Sequence, residues 1–123
     1  MKTSATPWLR AEGLIVLAAA ATAYHAFHLP WLWFAVLFLA PDLSMIGYTA
    51  GARTGALAYN LAHTYALALL PVAAGLLGGG RTALGLGLIW CAHIGFDRAL
   101  GYGLKLPEGF GQTHLGPIGR ARH

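Results

Sequence analysis

The feature that most constrains this chain is the near-absence of charge across four long apolar runs, at about residues 8–28, 31–49, 55–77 and 82–104. Each run reaches the ~20 residues that an α-helix needs to cross a hydrocarbon core of ~30 Å. Only 10% of the residues are charged and 57% are hydrophobic, whereas a soluble domain carries about 25% charge. A water-facing surface cannot be built from so little. The acids are Glu12, Asp42, Asp97 and Glu108. The bases Lys2, Arg10, Arg53, Arg81, Arg98, Lys105, Arg120 and Arg122 are scattered and mostly flank the runs. The net charge of +4 therefore reads as contact with anionic membrane lipid. No nucleic acid partner is expected.

The expected fold is all-α, a single integral membrane four-helix bundle over residues 1–123. Pro30 closes the first run, Gly51-Ala52-Arg53-Thr54-Gly55 turns after the second, and Gly78-Gly79-Gly80-Arg81 turns after the third. Connections this short make consecutive helices antiparallel neighbours. Pro41 and Pro71 predict kinks, because proline removes a backbone donor and clashes with the preceding turn. Lys2, Arg10, Arg53, Lys105, Arg120 and Arg122 fall on one side and Arg81 on the other. Basic segments stay inside, so both termini are expected in the cytoplasm. Leu14-Ile15-Val16-Leu17 with the alanines after it mimics a signal sequence, but Glu12 spoils the region before it, and a retained helix is expected. The 17 glycines suit close helix packing in a membrane. Lone Cys91 forms no intrachain disulfide and reads as a packing residue. Residues 105–123 are no membrane span: they form either a disordered tail or a cap across the cytoplasmic face.

Ionisable residues inside a membrane are costly and face the bundle or a cavity. At ~1.5 Å per residue, Asp42, His63 and His93 fall at a common depth, roughly 14 Å from the cytoplasmic side. Asn60 and Asp97 lie a little below them, and Tyr48, Arg98 and Glu12 lower still. Asn60 and His63 are three apart, His93 and Asp97 four apart, so each pair shares a helix face. The two polar faces can meet, with Asp42 approaching from the second helix.

Three roles suit such a cluster. His63, His93, Asp97 and Asp42 are ligand types for a divalent zinc, iron or manganese ion, with His114 as a further ligand if the tail folds back. A metal there could activate water for hydrolysis of lipid or a small molecule, with Asp42, His63, His93 and Asp97 as the catalytic set. Glu12, Tyr48, Asn60 and Arg98 would support it. Alternatively, the acids and histidines relay protons or bind a cation in a small transporter. That role needs a homodimer for its pathway and uses Glu12 for coupling. Third, the polar groups hold the bundle together in a structural or adaptor protein. Haem between His63 and His93 fits tight glycine packing poorly. The substrate stays open.

The same residues carry a family resemblance. Arg10-Ala11-Glu12, Pro41-Asp42-Leu43-Ser44 through Gly47-Tyr48, and Tyr59-Asn60 through His63-Thr64-Tyr65 belong to it. So do His93-Ile94-Gly95-Phe96-Asp97-Arg98, Gly101-Tyr102-Gly103-Leu104-Lys105, and Phe110 with Thr113-His114-Leu115-Gly116. On these segments the chain resembles the bacterial membrane proteins grouped as domain of unknown function 4260. The resemblance implies a small multispan protein of the bacterial cytoplasmic (inner) membrane and no particular activity. It adds interest to Asp42, Asn60, His63, His93, Asp97 and Arg98, and to a folded cap bearing His114.

Overall fold

In a computed structural model of the protein, which describes residues 5–102, 104–106 and 109–113, the four apolar runs fold as four helical rods. The first is α1 (Thr6–Ala26). The second is α2 (Trp31–Leu37) continued by a 3-10 helix over Ala40–Ala50. The third is α3 (Ala52–Ala62), α4 (Tyr65–Ala74) and a π turn over Gly75–Gly79. The fourth is α5 (Arg81–Ala99). The helical architecture carries one addition, a short antiparallel ribbon of β1 (Lys105–Leu106) and β2 (Gly109–Thr113) that packs against α3. His114 lies outside the described residues.

The prolines behave differently from one another. At Pro41 the second rod changes from α to 3-10 winding. Pro41 has no N–H to offer, and the Asp42 N–H bonds the Leu39 carbonyl, three residues back instead of four. In the third rod Pro71, where a kink is expected, sits inside α4, and the helix continues through it. The chain breaks earlier, at His63 and Thr64, where Thr64 is extended at φ −105° and ψ 134°. Tertiary contacts described below hold that break open. The fourth rod also ends sooner than residue 104. Gly101, at φ 93°, turns the chain out of α5. The Gly101 N–H bonds the Arg98 carbonyl at 3.0 Å and the Tyr102 N–H bonds the Asp97 carbonyl at 2.8 Å. This pair of bonds is the Schellman stop, which needs a residue tolerant of positive φ.

Helix α5 is the central element. It packs along α1 on one side and α4 on the other, and its middle, from Leu84 to Gly95, is largely buried. Glycine permits both approaches. A Cβ on Gly95 would lie 2.6 Å from the Gly13 carbonyl oxygen, and one on Gly87 would lie 2.6 Å from the Val72 amide nitrogen. The aromatic rings of Tyr24, Trp31, Phe34 and Phe38 stack in succession, with neighbouring centroids 4.8 to 5.6 Å apart, and tie α2 to the bundle. Large apolar side chains cover the outside: Leu77 is 88% exposed, Leu32 70% and Ile46 67%.

Candidate metal centre

The breaks in the second and third rods bring the polar side chains together. Asp42 comes from the 3-10 helix, His63 from the broken end of α3, and His93 and Asp97 from successive turns of α5. His63 Nε2 and His93 Nε2 are 3.0 Å apart. Asp42 Oδ1 lies 3.2 Å from the first and 3.1 Å from the second. Asp97 Oδ2 lies 3.4 and 3.2 Å from them. All four donor atoms fall within 4.8 Å of one another. Asp97 reaches up into the histidine layer because helical side chains lean toward the N-terminus, onto the residue four positions back. The side chains of His63, His93 and Asp97 are 3%, 1% and 13% exposed, whereas that of Asp42 is 32% exposed. Asp42 is the open side of the cluster.

A backbone carbonyl freed by the break in the third rod aims the His63 imidazole. The His63 N–H bonds the Asn60 carbonyl, so the Tyr59 carbonyl loses its regular partner. It accepts from His63 Nδ1 at 2.8 Å. A carbonyl only accepts, so Nδ1 carries the proton, and in the neutral ring Nε2 presents a bare lone pair to the cluster. The change of winding at Pro41 frees the Phe38 carbonyl in the same way, since the Asp42 N–H has moved to Leu39. His93 Nδ1, by contrast, has no hydrogen-bond partner among the described residues. The rings are also clamped. Tyr59 stacks on His63 at 3.7 Å, and Phe38 meets His93 edge-on at 5.5 Å. Such outer contacts fix the orientation of metal-binding histidines.

The break at His63 and Thr64 leaves two further carbonyls without helical partners, and α5 supplies donors to both. Trp90 Nε1 donates to the Ala62 carbonyl, and Arg98 Nη2 donates to the His63 carbonyl at 3.1 Å. Irregular backbone in an apolar interior persists only where protein groups satisfy it. On sequence alone Trp90 reads as a lipid-facing or core-packed ring, although it stands three residues before His93 and so on the same face.

The other expected residues divide. Arg98, bonded to the His63 carbonyl, also places its guanidinium 5.3 Å from the Tyr65 ring centre. Asn60 supplies the carbonyl that ends α3. Tyr48 lays its ring on Gly55, joining the 3-10 helix to α3. Glu12 is exposed on α1 and takes no part in the cluster. Arg10 does not pair with Asp97; its Nε donates to the Ala99 carbonyl at 3.0 Å, at the C-terminus of α5.

Chemically, four acceptors converge with no protein cation among them. At 3.0 Å only one of the two Nε2 atoms can carry a proton toward the other. Two carboxylates then face two imidazoles with too few protons to balance them, a costly burial unless a cation joins. A divalent ion offsets both carboxylates while both imidazoles stay neutral. Bonds of ~2.0–2.1 Å place neighbouring ligand atoms ~3.0 Å apart in an octahedral site and ~3.3 Å apart in a tetrahedral one. The five distances above, 3.0 to 3.4 Å, bracket those values.

A glycine-packed helical bundle with a buried two-histidine, two-aspartate cluster is thus the class that fold and site define. The chain belongs to the family described as domain of unknown function DUF4260, whose model matches residues 6–118. No curated protein and no solved structure matches it significantly.

The 3-10 winding has a testable role. Pro41→Ala restores a donor to the Leu37 carbonyl and favours continuous α-helix, which rotates Asp42 away from the histidines. Metal affinity is expected to fall about 10- to 100-fold, with thermal stability unchanged or raised, as isothermal titration and a melting curve would show.

Proposed function

We propose that this protein is a multi-pass membrane protein that holds one divalent zinc, iron or manganese ion on Asp42, His63, His93 and Asp97. The observation that carries the reading is the convergence of four donor atoms from three rods at 3.0 to 3.4 Å. Two imidazoles and two carboxylates suit borderline first-row metals and not calcium, which takes oxygen ligands alone. The half-exposed Asp42 marks the side from which water or substrate reaches the ion. Donor separations of 3.0 to 3.4 Å suit an octahedral as well as a tetrahedral site, and in the former a bound water would help complete the shell. Hydrolysis of a lipid or small molecule is the chemistry such a water supports.

Membrane placement rests on the surface. Two rods, Trp31–Ala50 and Ala52–Gly79, have mean hydropathies of 1.4 and 1.6 and the length to cross a bilayer. Helix α5 is less apolar but is shielded by α1 and α4, and its 19 residues extend ~28 Å. Gly75 opposes Leu84 and Gly87 opposes Val72, a falling register that supports antiparallel neighbours. Arg10, Arg53 and Lys105 share the end opposite Arg81, which supports termini in the cytoplasm of a bacterial inner membrane. Surrounding lipid is the first partner this implies. A proton- or cation-coupled transporter is less well supported, since Glu12 lies off the cluster.

Metal analysis of protein purified in mild detergent tests the reading. About one ion per chain is expected, retained on gel filtration and removed by chelator at a cost in thermal stability. Fully folded protein that carries no metal and takes up none on titration with zinc, ferrous or manganous ion would overturn it.

A further inference from the structure

Helix α2 stands away from α5 and leaves an apolar groove between them. A cavity of about 460 Å³ opens at its outer end, lined by Tyr24, Trp33, Arg81, Gly85, Leu86 and Ile89 among others. A second, of about 280 Å³, is lined by Leu37, Ala40, Pro41, Ala62, Leu86, Ile89 and Trp90. Leu37, Leu86 and Ile89 line both, so the two cavities adjoin along α5, and we take them together as one path. From Arg81 to Trp90 along α5 the path covers ~13 Å. Its inner end is built from Pro41 and Ala62, the residues immediately before the metal-site residues Asp42 and His63.

We propose that this groove seats the single acyl chain of a medium-chain fatty acid, its carboxylate on Arg81 and its chain ending against Pro41, Ala62 and Trp90. The lining is apolar except at the Arg81 end, where Thr82 adds a hydroxyl. Arg81 spends Nη2 on the His28 carbonyl at 2.9 Å, and a guanidinium has further donors that match a carboxylate. Charge at one mouth and apolar side chains along the rest is the pattern of a fatty acid. Helices α2 and α5 supply most of the walls, Tyr24 of α1 and Ala62 of α3 complete them, and cavities of this size suit one chain rather than two. The occupant packs on the residues beside two of the metal-site residues, so it bears on the centre proposed above, although its binding does not require the metal.

Tryptophan fluorescence tests this directly. In a variant retaining Trp90 alone (Trp8, Trp31 and Trp33 changed to Phe), a fatty acid brominated near its methyl end should quench in a saturable, one-to-one manner in detergent. Gly85→Leu places a side chain in the groove. Its Cβ would be in ordinary contact with Leu29 and Tyr24 at 3.7 Å; a melting curve checks that the variant is folded, and its apparent affinity should fall at least about tenfold. Arg81→Gln should weaken the acid but leave the weaker binding of the matching brominated alcohol unchanged. Quenching that never saturates, or that is equal in Gly85→Leu, overturns the proposal, as does stronger competition by a two-chain phospholipid than by unlabelled fatty acid. Running the titration on metal-free and metal-loaded protein separates the two readings. Loss of quenching with metal still bound rejects the groove alone, and quenching in protein that takes up no metal rejects the metal centre alone.

Discussion

Replacing His63 or His93 by alanine is expected to abolish stoichiometric metal, from about one ion per chain to background, with affinity down at least about 100-fold. Each imidazole is a donor at the centre of the cluster, within 3.4 Å of all three other donor atoms. Removing either leaves three donors, two of them carboxylates that now lack a neutral neighbour. His63→Ala also strips the Tyr59 carbonyl of its partner, so it should lower stability more than His93→Ala in metal-free protein. Asp97→Asn is the milder variant. It keeps the volume and one oxygen donor but removes a charge, so affinity should drop less while the fold holds. Elemental analysis and zinc titration on protein that still runs as one species read these effects. If all three variants merely melt earlier and neither they nor the parent ever bind metal, the cluster is a structural device and the metal reading fails.

Gly95→Leu is expected to be the most damaging change at an uncharged position outside the cluster. Its Cβ would lie 2.6 Å from the Gly13 carbonyl oxygen and 2.7 Å from the Leu17 amide nitrogen. These are backbone atoms of α1, which cannot swing aside as a side chain can, so the helices must part. Overpacking of a well-packed contact costs about 1–3 kcal/mol, and here it also shifts the helix that carries His93 and Asp97. The expected result is a melting point lowered by several degrees or failure to accumulate, with loss of metal binding in any protein recovered. Gly85→Leu on the same helix is the control, because a Cβ there meets only side-chain atoms of Leu29 and Tyr24, in ordinary contact at 3.7 Å. Equal melting points for the two variants would show that the α1 and α5 crossing is looser than the Gly13 and Gly95 contact requires.

Much of the site was legible before any fold was seen. Asp42, His63 and His93 agree in depth because helical rise is constant, and the spacing of His93 and Asp97 puts both on one face whatever surrounds them. Local pattern also marked the triple-glycine turn and the disturbance at Pro41. The true break in the third rod was not legible. Pro71 has the stronger local reason to interrupt a helix, yet it stays inside α4. The interruption at His63 and Thr64 depends on Trp90 and Arg98, which reach two orphaned carbonyls from about 30 residues away. Nor did spacing exclude Glu12, since depth says nothing of direction around a helix and Glu12 faces outward on α1.

By itself, then, the sequence determined four apolar helices, their turns, and the level at which the ionisable groups lie, since composition, rise per residue and glycine or proline punctuation are local properties. Tertiary structure alone decided which carbonyls the broken rods release and that one of them aims the His63 imidazole. It likewise decided that α2 would stand off α5 and leave a groove. The reason is physical: an unpaired backbone group or a gap between helices is resolved by whatever the rest of the chain brings to it, and no short window of sequence contains that partner.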